Sequence, residues 1–84
     1  FVNMVFTEDF IKESCQKILH DHVCGKVFRI KGFQKLADGS WISINVTHQN
    51  TEIEPIPNGQ AILIVIGEGL NQEAIEGYWG KSKP

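Results

Sequence analysis

The chain of 84 residues has few cysteines, a single methionine and no large excess of either charge. Its two cysteines, Cys15 and Cys24, are too few for a disulfide framework, so we expect reduced thiols in a cytoplasmic protein. The net charge is -2 and the acids and bases are interspersed, which argues against the basic surface of a nucleic-acid-binding protein. A hydrophobic content of 42% with 21% charged residues is typical of a globular domain.

Long hydrophobic runs are also absent. The longest apolar segment, residues 61–66, falls far short of the roughly 20 residues that a membrane helix needs. No basic segment precedes an apolar one, so no signal peptide is predicted. The chain begins at Phe1 and its methionine is Met4. We therefore expect residues 1–84 to be a single domain and a fragment of a longer protein.

The hydrophobic pattern predicts the order strand, helix, four strands, helix. Residues 1–6 indicate a short strand, Thr7 is typical of a helix N-cap, and Phe6 with Ile11 predicts a hydrophobic staple. Apolar residues then recur at helical spacing, and Asn71 is expected to cap a last helix over residues 72–79. This order predicts an α+β fold in which a mostly antiparallel sheet of four to five strands carries two helices on one face.

The long strand over residues 26–36 has two alternative registers with the strand that follows it. A two-residue turn at Asp38-Gly39 places Phe33 on the core face, and Ile30 joins it only if a bulge at Gly32 shifts the face. A three-residue loop with Gly39 left-handed would instead bury Ile30 and expose Phe33. We favour the two-residue turn with the bulge, because it buries both side chains.

Two later segments have opposite strand characters. Residues 51–56 contain Pro55 and precede Pro57, which confines this short strand to a sheet edge or a loop because proline cannot donate to a ladder. Residues 61–66 contain no polar side chain and are rich in β-branched residues. They predict a central strand that is buried on both faces.

His20, His22 and Cys24 form the one cluster in the sequence with metal-ligand chemistry. Two imidazoles and a thiolate at alternating positions would share one side of an extended segment, and zinc or cobalt accepts such ligands. The alternative is that the histidines follow a helix C-terminus, whose dipole favours them, and that Cys24 is a small buried side chain. We favour the alternative, because a helix end spoils the alternation.

Arg29 and Lys31 alternate with apolar residues on the long strand, and they could present a cationic surface to an acidic partner. The favoured alternative is a solvated sheet face on which these cations pair with Glu52 or Glu54 of a neighbouring strand.

No catalytic site is recognisable in the sequence. Gly67-Glu68-Gly69 follows a strand and precedes a helix, but it lacks the spacing of a phosphate-binding loop, and Glu68 would repel a phosphate. No serine lies in a nucleophile elbow. The segment is therefore interpreted as a strand-to-helix turn.

Two motifs connect the chain with a known family. The first is Val27-Phe28-Arg29-Ile30-Lys31-Gly32-Phe33, and the second is Ile64-Val65-Ile66-Gly67 followed by Leu70-Asn71-Gln72-Glu73. In this order the two motifs resemble the C-terminal domain of the CobW-like proteins, which shows an Arg-x-Lys-Gly strand and an Ile-Gly-x-x-Leu-Asp turn. Asn71 stands where that family often has aspartate, and it retains the capping function.

The resemblance implies a parent protein with an N-terminal GTPase domain that carries GTP and a cysteine-rich zinc or cobalt motif. It implies that this chain is a non-catalytic regulatory or partner-docking domain of a metallochaperone, associated with metal delivery or cobalamin biosynthesis. The expected partners are that GTPase domain and a metal-receiving protein, with no nucleic acid and no membrane. A stand-alone metal-binding domain and a small-molecule sensing domain remain as alternatives.

Overall fold

The computed structural model describes residues 7–79. Within that range the elements are α1 (Glu8–His20), a 3₁₀ turn (His22–Cys24), β1 (Lys26–Lys35), β2 (Trp41–Thr47), β3 (Thr51–Ile56), β4 (Ile62–Glu68) and α2 (Gln72–Tyr78). The four described strands form one antiparallel sheet in the order β3-β2-β1-β4. The predicted α+β fold is confirmed. The predicted strand over residues 1–6 and its staple lie outside the described residues.

Both helices begin at the caps that the sequence predicts. The Thr7 hydroxyl accepts a hydrogen bond from the Phe10 amide at 3.1 Å, and the Asn71 side chain accepts one from the Ala74 amide at 3.2 Å. Each cap satisfies an amide that the first helical turn leaves unpaired. Below the Thr7 cap, the apolar residues at helical spacing are buried: Ile11, Cys15, Ile18 and Leu19.

The core lies between the two helices and one face of the sheet. The sheet contributes Val27, Ile30, Ile42, Ile44, Val46 and Leu63, all of which are buried. Trp79, which follows α2, is fully packed beneath α1, and its indole Nε1 donates to the Ser14 hydroxyl at 2.9 Å. This bond satisfies a polar group in the core and joins the two helices.

The β1–β2 hairpin has the register that we did not favour. Leu36 and Ser40 close the hairpin, since the Leu36 amide donates to the Ser40 carbonyl at 2.8 Å, and Gly39 between them has φ of 90°. The loop therefore contains three residues, with a left-handed glycine. Ile30 pairs with Val46 on the core face, whereas Phe33 faces away from the helices and is 41% exposed. The prediction of a two-residue turn was wrong.

The predicted bulge at Gly32 is also absent from the described ladders. Gly32 pairs in continuous register with both of its neighbours, Ile44 and Leu63. The irregularity in the described part of β1 lies instead between Val27 and Arg29, opposite β4. Gly32 is needed for another reason, because its φ is +151° and a Cβ there would lie 2.0 Å from the carbonyl oxygen of Ile62.

The position of β4 corrects a second prediction. Among the described strands β4 pairs with β1 alone, so it is an edge strand of the described sheet. The prediction that this strand is buried on both faces was wrong. Buried and exposed side chains alternate along β4, because the helices cover only one face of the sheet. Leu63 is buried against them, whereas Ile62, Ile64 and Ile66 are 43%, 41% and 40% exposed on the other face.

Candidate functional site

The sheet has one face that the described helices do not cover, and we call it the open face. The register places its side chains in four rows, one for each strand. From β3 to β4 the rows are Glu52, Glu54 and Ile56; Trp41, Ser43, Asn45 and Thr47; Arg29, Lys31, Phe33 and Lys35; and Ile62, Ile64 and Ile66. The open face therefore changes across the sheet from acidic, through polar and cationic, to apolar.

The cations on β1 are not neutralised by the acids on β3. Strand β2 separates the two rows, so the predicted pairing on neighbouring strands does not form. Arg29 Nε donates to Asn45 Oδ1 at 2.8 Å, and Asn45 Nδ2 donates to Glu52 Oε1 at 3.3 Å, so an amide stands between the two charges. Within residues 7–79 neither Arg29 nor Lys31 forms an ion pair. Neither cation is therefore paired with an acidic side chain in the described part of the chain.

Beside the cations lies an apolar stripe. Phe33 is opposite Ile62, Lys31 is opposite Ile64, and Arg29 is opposite Ile66. The stripe consists of Phe33 and the three isoleucines, and a shallow depression of about 300 Å³ opens between it and the two cations. If a partner covered the exposed part of each isoleucine, the burial would contribute roughly 1–2 kcal/mol per side chain to the free energy of binding.

Sequence reasoning found Arg29 and Lys31 but missed the stripe. It placed Phe33 in the core and Ile64 in a strand buried on both faces, because it treated each large apolar side chain as a core residue. The signal that could have found the stripe is the run of residues 61–66 itself. A strand with apolar side chains on both faces, in a sheet that helices cover on one face, has a surface that another molecule can cover.

The structure does not bring the predicted metal ligands together. His20 ends α1 with Nδ1 2.8 Å from the Gln16 carbonyl oxygen, whereas His22 begins the 3₁₀ turn. Asp21 lies between them, and its carboxylate accepts from the Val23 amide at 2.9 Å, so the segment turns. His20 and His22 border the same cavity, whereas Cys24 is fully buried and does not line it. Among residues 7–79 no three His, Cys, Asp or Glu side chains are grouped so that they could hold a metal ion.

Cys24 is also a poor thiolate. It is fully buried and the segment's 3₁₀ turn places it in the core cluster. Burial raises the pKa of its thiol, and the nearby Asp21 carboxylate raises this pKa further. A metal ligand must be deprotonated, so both effects oppose coordination.

A cavity at this end of the domain contains a histidine that the sequence did not connect with the cluster. The rings of His20 and His48 lie edge to face with their centroids 5.1 Å apart, and His48 Nε2 is 2.9 Å from the Val27 carbonyl oxygen. Both rings border a cavity of about 530 Å³. Their separation in the sequence gave no signal, because only the packing of the β2–β3 turn against β1 brings them together.

The strand-to-helix turn at Gly67-Glu68-Gly69 is packed against the start of β1. A Cβ at Gly67 would lie 2.2 Å from the Lys26 carbonyl oxygen, and one at Gly25 would lie 2.4 Å from that of Gly69. The Asn71 amide donates to the Cys24 carbonyl at 3.0 Å. These glycines allow two backbones to approach, which supports the interpretation as a turn rather than a phosphate cradle.

The helices of the described region are short. Neither α1 nor α2 is long and apolar enough to cross a membrane.

Comparison with known proteins gives one result. The family model described as "Cobalamin synthesis protein cobW C-terminal domain" matches residues 2–81. No curated protein and no solved structure matches the chain. The matched region contains the sheet, both helices and the whole open face.

Proposed function

The chain belongs to the family of cobalamin synthesis protein cobW C-terminal domains, and from this membership we propose that it is a partner-docking accessory domain of a CobW-like, GTP-dependent metallochaperone. The family's C-terminal domain is an accessory unit and not the GTPase catalytic domain. In this proposal the domain works in the cytoplasm through protein contact. Its parent serves metal delivery or cobalamin biosynthesis, and a metal-receiving protein is a second partner.

The observation that carries the docking role is the open face. It combines Arg29 and Lys31, which form no ion pair within the described residues, with four large apolar side chains that are about two-fifths exposed. Contiguous apolar surface beside unneutralised charge is the composition of a protein contact surface. GTP and zinc or cobalt are assigned in this proposal to the GTPase domain, and no residue of this chain is given a role in binding them.

The proposal is tested with the full-length protein. Hydrolysis of GTP is compared between that protein and a form without the accessory domain, and the 84-residue chain is then added back as a separate molecule. We expect removal of the domain to change the hydrolysis rate, and addition of the chain to restore it. Equal rates in all three samples would refute a regulatory role, and absence of binding between the chain and the GTPase domain as well would refute the docking role.

Metal binding by His20, His22 and Cys24 is the weaker proposal, since the geometry and the buried thiol both oppose it. Titration of the folded chain with Co²⁺, followed by thiolate-to-cobalt absorption, tests it. We expect no such absorption at micromolar cobalt. An absorption that disappears in Cys24→Ala and persists in the matched control Cys15→Ala would establish the metal site instead.

A further inference from the structure

We infer that the open face, with the contact centred on its β1 and β4 rows, is the surface on which the GTPase domain of the same protein docks, through aliphatic side chains flanked by carboxylates. This inference rests on the proposed function and specifies the surface and the chemistry of the contact. Three independent features of the described residues lead to it: the apolar stripe, the distribution of charge and the size of the face.

The apolar stripe is the first feature. Ile62, Ile64 and Ile66 alternate along β4 toward the same side, and Phe33 extends the stripe onto β1. Each of these side chains is at least 40% exposed. Because they are neighbours across one ladder, they form a continuous surface rather than scattered exposed residues. A flat strip of this kind matches aliphatic side chains on a partner.

The distribution of charge determines the orientation of the partner. Arg29 and Lys31 lie directly beside the stripe, whereas Glu52 and Glu54 lie two strands away on β3. A partner that placed carboxylates over β3 would be repelled, and one that places them over β1 is attracted. The partner surface must therefore carry its acidic groups next to its aliphatic ones, and complementarity of this kind fixes register.

The size of the open face favours a tethered domain over a second copy of the chain. Four strands about 4.8 Å apart and about 23 Å long give a face of roughly 440 Å². A contact that covers it on both partners buries roughly 900 Å², which lies in the range of interfaces between domains of one chain. A stable complex of separate molecules typically buries about 1,600 Å². Tethering raises the effective concentration and makes the smaller contact sufficient.

The test measures binding of the isolated GTPase domain of the same protein to the 84-residue chain by NMR titration, which detects the weak contact expected without the tether. Ile62→Thr/Ile64→Thr removes apolar surface and keeps β-branching, and Lys31→Gln removes one charge. Val23→Thr and Lys17→Gln are the matched controls, because both residues are exposed outside the sheet. We expect the isoleucine variant to bind about 30- to 100-fold more weakly. The Lys31 variant should bind about 5-fold more weakly and lose part of its salt dependence.

The outcomes separate the inference from the proposed function. If the wild-type chain binds and both open-face variants bind equally well, the inference is refuted and the docking function stands. If the wild-type chain does not bind and its removal leaves GTP hydrolysis unchanged, both fail. Self-association of the wild-type chain in sedimentation experiments, abolished by the isoleucine substitutions, would assign the face to a second copy and refute the inference. Should the double variant unfold, Ile66→Thr and Lys31→Gln carry the test.

Discussion

Replacing Gly32 by alanine should destabilise the domain more than any other single methyl group added to a glycine of the described sheet or loops. Gly32 lies in the middle of β1, with a strand on each side. Its φ of +151° is one that residues with a side chain rarely adopt, and its Cβ would lie 2.0 Å from the Ile62 carbonyl oxygen and 3.0 Å from the Leu63 Cα. These neighbours are backbone atoms, so a side-chain rotation cannot relieve the clash.

The size of the effect follows from two costs and one gain. The unfavourable backbone conformation costs about 1–3 kcal/mol. Separating β1 from β4 enough to admit the methyl group weakens about two ladder hydrogen bonds, at about 1 kcal/mol each. Alanine restricts the unfolded chain, which returns about 0.4–1 kcal/mol. The free energy of unfolding should therefore fall by about 2–4 kcal/mol, which is a large part of the roughly 4–13 kcal/mol expected for this chain length.

Two other glycines provide matched controls. Gly39 has φ of +90° with no atom within 4 Å of the position that a Cβ would occupy, and Gly77 in α2 has open space and no unusual φ. Gly39→Ala should cost about 1 kcal/mol through conformation alone. Gly77→Ala should stabilise by about 0.5–1 kcal/mol, because alanine is the better helix former.

Urea denaturation followed by circular dichroism measures all three variants. A loss of about 2–4 kcal/mol in Gly32→Ala corresponds to a melting temperature lower by about 10–25 °C. A Gly32→Ala variant that is no less stable than Gly39→Ala would contradict this prediction. That result would mean that the close approach of β1 and β4 at Ile62 contributes nothing to the requirement for glycine.

Three further predictions concern single contacts. The hydrogen bond from the Tyr78 hydroxyl, and next to it the one from a backbone amide, holds the pKa of Asp21 below its usual range. The stabilisation by Asp21 is therefore present above the carboxyl pKa of the unfolded chain and is lost as the pH falls through the folded-state pKa. Tyr78→Phe should flatten the acid limb of the curve of stability against pH, and a curve parallel to that of the wild type would contradict this. Ser14→Ala removes the buried acceptor of the Trp79 indole and should cost about 1–3 kcal/mol in urea denaturation, so an unchanged midpoint would argue against that bond. Burial raises the pKa of Cys15 to about 12, so this thiol should react with a disulfide reagent only after unfolding, and rapid labelling of the folded chain would disprove its burial.

The helices and the outer strand could be predicted because their signals are local. Thr7 and Asn71 accept hydrogen bonds from amides three residues ahead, and these bonds depend on the backbone of one turn. Pro55 likewise confines its strand to an edge whatever lies beyond, and β3 is an edge strand of the described sheet. Such features need no knowledge of the tertiary structure.

The faces of the sheet could not be predicted in the same way. Both hairpin registers use the same Asp-Gly pair, and a one-residue difference in loop length exchanges the buried and exposed sides of a strand. The choice depended on the assumption that Phe33 must be buried by this chain. The same assumption led to the prediction that β4 is buried on both faces. An apolar pattern in the sequence indicates that a surface is buried, but it does not indicate which molecule covers that surface.

Only the cationic half of the candidate site could therefore be predicted from the sequence. Arg29 and Lys31 were placed on an exposed sheet face, because alternation with Ile30 is a property of β1 alone. Their separation from Glu52 by an intervening strand required the strand order, which the sequence does not encode locally. The neighbouring apolar stripe was lost together with the register.

Strand β1 lies between a neighbour that follows it directly and one that is synthesised much later. The three-residue loop lets β1 and β2 close within microseconds of becoming available. Strand β4 and Trp79 come from the last third of the chain, yet they complete the sheet and the core. A nascent chain that stops before residue 62 contains α1 and the β1–β2–β3 sheet but lacks Leu63, Ile75 and Trp79 of the core. The order of synthesis should therefore delay stable folding until nearly the whole domain has left the ribosome.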